Sequence, residues 1–254
     1  MTDVVIDSNN QPIGSPQDDL GHYPPPERPY IELVRSLSPP FRQLFHVIFD
    51  NEDKWTAFAS APSSMNGHHS VRGGNLQHSI EVAVRCRRLA ESDPGIIDLD
   101  VLTAAALLHD VGKALEYDTS YSQSQMSPTG KAVGHKATGF GMVYSALERI
   151  DGLTEHQVLA LCNCLSCTSS YSYDFRGPAC LEAELLLRCD QLSAVTNQYR
   201  ASRELSGSGA GHGVRLPHMR ETPYFTKPKA TTQRVWVAPR FPQRPRPISP
   251  QGGS

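Results

Sequence analysis

Proline is the residue that most restricts what this chain can fold into. Of its 20 prolines, eight lie in residues 1–40 and eight in residues 206–254, which leaves only Pro62, Pro94, Pro128 and Pro178 between. Proline lacks a backbone donor and clashes with the preceding helical turn. The middle of the chain can therefore be helical over long stretches, and the flanks cannot. The expected organisation is a Pro-rich segment without a fold at 1–39, one domain at 40–205, and a Pro/Gly-rich tail at 206–254. Within the flanks, PPPERP at 24–29 reads as an extended linker, GSGAGHG at 207–213 as a flexible hinge, and RFPQRPRPISP as disordered.

Charge follows the same division. The chain carries 24 Lys/Arg and 26 Asp/Glu, but residues 206–254 hold eight basic residues against Glu221 alone. The tail is thus near +7 and the rest near −9. A basic tail on an acidic body suits either a polyanion-binding arm or a segment that docks on its own domain. No apolar run approaches the roughly 20 residues of a membrane span, so no contact with a membrane is expected. The first residues lack the basic and apolar regions of a secretory signal, which predicts a cytoplasmic protein whose six cysteines are reduced.

Between the flanks the hydrophobic spacing is helical. Residues 40–50 place Phe41, Leu44, Phe45 and Ile48 on one face, and residues 74–91 do the same with Leu76, Ile80, Ala83, Val84 and Ala90. Residues 99–109 (LDVLTAAALLH) are apolar nearly all round, which predicts a buried helix. Residues 134–150, 154–166 and 179–204 continue the pattern, and no alternating strand stands out in 40–205. The predicted class is an all-α bundle of about six helices.

Four residues in this frame carry chemistry. His109-Asp110 ends the buried helix, with Val111-Gly112-Lys113 after it. A buried carboxylate needs compensation, and a divalent cation supplies it. His78 lies in a second predicted helix and Asp190 in the last one, amid Leu185, Leu186, Leu187 and Leu192. Two imidazoles and two carboxylates from three helices suit one octahedral ion. Mixed N/O ligation without thiolate favours Mn²⁺, Fe²⁺, Co²⁺ or Mg²⁺ over structural Zn²⁺. The CxCxxC cluster of Cys162, Cys164 and Cys167 does not converge on one helix and reads as core or helix surface.

The ordered set His78, His109-Asp110 and Asp190 resembles the HD superfamily of metal-dependent phosphohydrolases. More narrowly, APSSMNGHHSVRGGNLQHSIEVA, ALLHDVGKALEY and GKAVGHKATG are similar to the bacterial HD-domain 3′–5′ exoribonucleases. The first of these segments is also similar to the HD-like N-terminal domain of relaxases from integrating conjugative elements. The resemblance covers residues 40–205 and implies a metal-dependent phosphodiesterase acting on a nucleotide or single-stranded nucleic acid. A non-catalytic accessory module is the alternative it leaves open. On this resemblance His78, His109, Asp110 and Asp190 are metal ligands, and Lys113, Asp110 and His135 are catalytic candidates. His68, His69, Arg72 and Lys113 are candidates for substrate contact, with the basic tail as an additional nucleic-acid contact.

The chain departs from the exoribonuclease pattern twice. That branch carries a nucleic-acid-binding barrel before the HD domain, and here about 40 proline-rich residues precede it. It also carries a Ser-His-His segment that serves a second metal, where this chain has Leu165-Ser166-Cys167-Thr168. The expectation is one bound ion, with His135 and Cys167 the only residues placed for a second.

Overall fold

The computed structural model describes residues 27–64, 71–120, 124–168, 177–206, 212–216, 219–223 and 225. Helices α1 (Glu27–Arg35), α2 (Pro39–Ile48), α3 (Glu52–Ser60), α4 (Gly74–Ala90), α5 (Leu99–Leu108) and α6 (Lys113–Glu116) come first. A two-residue antiparallel pair follows, β1 (Tyr117–Asp118) with β2 (Gln125–Met126), Tyr117 lying opposite Met126. Helices α7 (Pro128–Ala132), α8 (His135–Leu147), α9 (Glu155–Ser166) and α10 (Leu181–Leu205) complete the architecture. Each of the six helices expected from hydrophobic spacing is present as α2, α4, α5, α8, α9 or α10. The all-α class holds, and the small β pair corrects the expectation of no strand.

Helix α5 is the axis of the bundle. Every residue from Val101 to Leu108 is 0% exposed, because α4, α9, α10 and α1 pack around it. Its start is fixed by Asp98, whose side chain accepts from the Asp100 and Val101 amides at 3.0 Å each. The other Asp98 oxygen accepts from Gln157 Nε2 at 2.9 Å. Gln157 is also the third residue of the Thr154 capping box on α9. The N-termini of α5 and α9 are thereby tied together, which fixes where both helices begin.

Helix α1 corrects the expected boundary at residue 40. Tyr30 is 1% exposed, and its hydroxyl donates to the Leu107 carbonyl at 3.3 Å. Its ring packs with Phe45, Trp55 and Phe58 at centroid distances of 5.3–6.1 Å. Pro29 is no obstacle, because it falls in the first turn, where backbone amides have no intrahelical partner. The rest of the N-terminal segment, residues 1–26, lies outside the described residues.

The tail is likewise more than an unstructured arm where it is described. Gly213 N donates to Pro223 O at 2.8 Å, and Val214 N to Ser206 Oγ at 3.1 Å. The Phe225 ring lies 6.2 Å from that of Tyr199, with the Arg203 guanidinium 5.2 Å from its centroid. Residues 212–216, 219–223 and 225 thus lie along the end of α10, while residues 207–211 of the expected hinge at 207–213 and residues 226–254 fall outside the described residues. Among the described residues no helix is long and apolar enough to cross a membrane.

Candidate metal centre

The site forms where α5 ends. His109 caps α5 in helical geometry and Asp110 begins the turn into α6. The chain can turn so tightly against α8 because residue 112 is glycine. A Cβ there would overlap the His135 carbonyl oxygen and the Gly139 amide nitrogen, so α8 packs directly on bare backbone. That contact brings the N-terminus of α8, with His135, up to Asp110. Helix α4 brings His78 from one side and α10 brings Asp190 from the other.

Four donor atoms meet. His78 Nε2 lies 3.3 Å from His109 Nε2, 3.0 Å from Asp190 Oδ1 and 3.8 Å from Asp110 Oδ2. His109 Nε2 lies 3.3 Å from Asp110 Oδ2 and 3.8 Å from Asp190 Oδ1. His78, His109 and Asp110 are almost fully buried, and the Asp190 side chain, 34% exposed, marks the open side. Among the described residues, His78, His109 and Asp110 form the group whose ligand atoms are close enough to share an ion. Asp190 adds a fourth oxygen beside it.

The chemistry of this donor set fits a divalent cation. His109 Nδ1 lies 2.9 Å from the Ala106 carbonyl, which can only accept, so Nδ1 carries a proton and Nε2 faces inward. Two imidazole nitrogens at 3.3 Å need something positive between them, either a proton or a metal. The electrostatics agree. Burial disfavours the His109 cation, yet the Asp110 charge beside it raises its pKa. Burial lowers that of His78, opposed by its bond to Asp190. Burial would raise Asp110, but the charges of His109 and Lys113 hold it well below the ordinary carboxylate range. Asp190 is held at about 2, where the His78 hydrogen bond and the His109 charge outweigh burial. Asp110 and Asp190 outweigh Lys113 beside them, and the field that draws a proton to His109 also suits a metal ion.

Lys113 and His135 complete the surroundings. Lys113 is 5% exposed, with Nζ 2.5 Å from Asp110 Oδ2 and 3.4 Å from Ser63 Oγ. It is therefore a buried partner of Asp110 and not a solvated lysine. His135 Nε2 lies 3.4 Å from Asp110 Oδ1, while Nδ1 lies 3.1 Å from Glu116 Oε1 and 2.9 Å from Oε2. Glu116, 8% exposed, also lies 3.3 Å from the His135 amide. Sequence reasoning missed Glu116, Ser63 and the pair Glu81 and Ser193 beside His78.

Other candidates are not brought together. His68 and His69 lie outside the described residues. The Arg72 guanidinium donates to the Thr119 carbonyl at 2.9 Å and to Ser60 Oγ at 3.2 Å, joining the approach to α4 with the end of β1. Cys167 is buried, its thiol directed at the Cys164 carbonyl 3.9 Å away. Among the described residues it forms no ligand group with His135. The CxCxxC cluster is core and helix surface, as its spacing implied.

An all-α domain that gathers two imidazoles and two carboxylates at the end of a buried helix belongs to the class of helical metal-binding domains. The HD-domain family profile matches residues 75–195, a span that contains all four donors. Over that span the chain is similar to HD domains. Among curated proteins it is 28% identical over 142 residues to the 3′–5′ exoribonuclease YhaM of Geobacillus sp. strain WCH70, covering 55% of this chain and 43% of that one. It is 35% identical over 69 residues to the dihydroneopterin 2′,3′-cyclic phosphate phosphodiesterase of Methanocaldococcus jannaschii, covering 26% of this chain and 28% of the relative. The matched region thus spans less than half the length of either relative. No solved structure matches the chain significantly.

Proposed function

We propose that this chain is a metal-dependent phosphodiesterase acting on a nucleotide or single-stranded nucleic acid. The observation that carries this reading is the convergence of His78 Nε2, His109 Nε2 and Asp110 Oδ2 at 3.3–3.8 Å, with Asp190 Oδ1 3.0 and 3.8 Å from the two imidazole nitrogens. The names of the two relatives support phosphodiester chemistry, one an exoribonuclease and the other a cyclic-phosphate phosphodiesterase.

In this reading His78, His109, Asp110 and Asp190 hold one Mn²⁺, Fe²⁺, Co²⁺ or Mg²⁺ ion. Such an ion, when bound, polarises a phosphoryl oxygen and lowers the pKa of a water molecule. The protein does the rest. Burial of His78, His109 and Asp110 excludes bulk water on three sides and leaves access past Asp190. Lys113 offsets the charge of Asp110 and fixes its rotamer. His135, with 28% of its side chain exposed and Nδ1 anchored on Glu116, presents Nε2 beside the site as the proton donor to the leaving oxygen. The catalytic unit extends from α1 through α10. The basic residues beyond it are a second, electrostatic contact for a nucleic-acid strand.

The test is hydrolysis of bis-p-nitrophenyl phosphate and of end-labelled oligoribonucleotides by the full chain with Mn²⁺, alongside its metal content. About one ion per chain and shortening from the 3′ end support the reading. No ion after reconstitution and no hydrolysis would instead assign the domain an accessory, non-catalytic role.

A further inference from the structure

Two residues outside the donor set bear on how His78 presents its nitrogen. Ser193 is 0% exposed on α10, and its Oγ lies 3.2 Å from His78 Nδ1. The same oxygen lies 3.2 Å from Glu81 Oε2 on α4. Glu81 is itself held in place, because its Oε1 accepts from Arg200 Nη1 at 3.0 Å and its Oε2 lies 3.4 Å from Arg85 Nη1.

The direction of each bond follows from donor and acceptor capacity. A carboxylate only accepts, so the Ser193 hydroxyl donates its one proton to Glu81. Its oxygen is then left to accept, and the His78 Nδ1 proton is the donor it faces. The relay thus favours a proton on Nδ1, which leaves Nε2 as the nitrogen free for a metal, whereas without metal the Asp190 carboxylate 3.0 Å away competes for a proton on Nε2. The opposite tautomer would set an N–H toward the site and leave Nδ1 without a donor for Ser193. His109 reaches the same state by a shorter route, through the Ala106 carbonyl. The two imidazoles thus have separate orienting partners, one a main-chain carbonyl and one a side-chain relay.

We infer that Glu81 and Ser193 form a positioning relay that biases the tautomer of His78 and so sets the metal affinity of the site. The inference rests on the reading of His78 as a metal ligand. Neither relay residue touches the donors' inner face, so both act through His78. A ligand histidine's outer hydrogen-bond partner commonly governs metal affinity by 10–100-fold.

The spacing supports a designed pairing of elements. Ser193 is three residues after Asp190 on α10, and Glu81 three residues after His78 on α4. Each helix therefore supplies one donor and, one turn on, one member of the relay. The relay also bonds the two helices to each other just behind the site.

The experiment compares the full-length chain with Ser193→Ala, Ser193→Thr and His78→Ala. Mn²⁺ affinity is measured by calorimetry, melting temperature and helicity are measured without metal, and the imidazole tautomer is read from ¹⁵N shifts of histidine-labelled protein. Ser193→Ala should weaken Mn²⁺ binding by about 10–100-fold and give His78 a mixed tautomer. Ser193→Thr, which keeps the hydroxyl, should restore both. Unchanged affinity and an unchanged Nδ1–H tautomer in Ser193→Ala would overturn the relay. So would equal losses of affinity and melting temperature in the Ala and Thr variants, since that pattern belongs to packing alone. Retention of Mn²⁺ by His78→Ala would overturn the ligand reading itself, a result independent of either Ser193 variant.

Discussion

Replacing Asp110 by alanine tests two ideas at once, because this carboxylate faces both the donor set and a buried cation. Lys113 is 5% exposed, with its ammonium 2.5 Å from Asp110 Oδ2. Its other hydrogen bond, to Ser63 Oγ, is 3.4 Å long and cannot neutralise charge. Removing Asp110 leaves an ammonium buried without its counter-charge, which costs about 3–5 kcal/mol. At this chain length each kcal/mol moves the melting temperature by roughly 2–4 °C, so metal-free Asp110→Ala should melt about 6–20 °C below the wild type. Asp110→Ala/Lys113→Met removes the stranded charge at similar volume and should recover most of that loss. Metal separates the second effect. Wild type at a concentration 100 times Kd gains about 2.7 kcal/mol of stability, and both variants should gain nothing. Scanning calorimetry with and without Mn²⁺ reads all of these values. Metal-free Asp110→Ala melting within about 2 °C of wild type would refute the charge-pair argument. A metal-induced shift that survives in the double variant would refute the ligand assignment.

Further outcomes follow from the packing and charge around the site. Gly112→Ala forces α8 off the turn and should cost about 1–3 kcal/mol, whereas Gly141→Ala, whose Cβ meets nothing within 4 Å, should cost nothing; equal thermal melts for the two would contradict the close approach. Asp190 is held at about 2 against an ordinary 3.8, so its stabilising effect is full above roughly pH 4 and lost as pH falls through about 2. Metal-free wild type and Asp190→Asn should therefore differ in urea melts near neutral pH and converge toward pH 2, and a constant gap would contradict the sign. Glu116→Gln should lower turnover of a small phosphodiester while leaving Mn²⁺ affinity unchanged, and a parallel loss of both would show that Glu116 serves the metal instead. Residues 226–254 carry six Lys/Arg and no Asp/Glu; deleting them should flatten the salt dependence of single-stranded RNA binding by about 0.7 for each phosphate they neutralise, and an unchanged slope would eliminate the binding arm.

The legible parts of the fold are those in which one element's composition is decisive by itself. Residues 101–108 are apolar on every side apart from Thr103, and only a central helix can bury all of them. The flanks were harder to read because proline acts by position. Pro29 would break a helix interior, but in a first turn it costs nothing, and Tyr30 beside it reaches the Leu107 carbonyl. Helix α3 is similarly concealed, since Trp55 and Phe58 present a short apolar face whose partners, Tyr30 and Phe49, come from other elements. The β1–β2 pair has two residues per strand, too few for any alternation to register.

The donors were legible for a different reason. Histidine and aspartate at the end of an apolar helix are costly unless something compensates them, and it is their combination with His78 and Asp190 in two further helices that pointed to a cation. Lys113 was ambiguous, because only the packed structure shows its ammonium turned inward to Asp110 and not out to solvent. Glu116, Glu81 and Ser193 carried no such mark, as a glutamate or serine on a helix is ordinary until its neighbour across the interface is known. A weak signal did exist. Glu81 and Ser193 each stand three residues after a donor, the offset that places two side chains on one helical face. If a donor faces the site from a buried helix, a polar residue at that offset lies on a buried surface too and must find a partner there. Ligand assignment along a helix thus predicts where its outer partners lie, one turn away, before any coordinate is known.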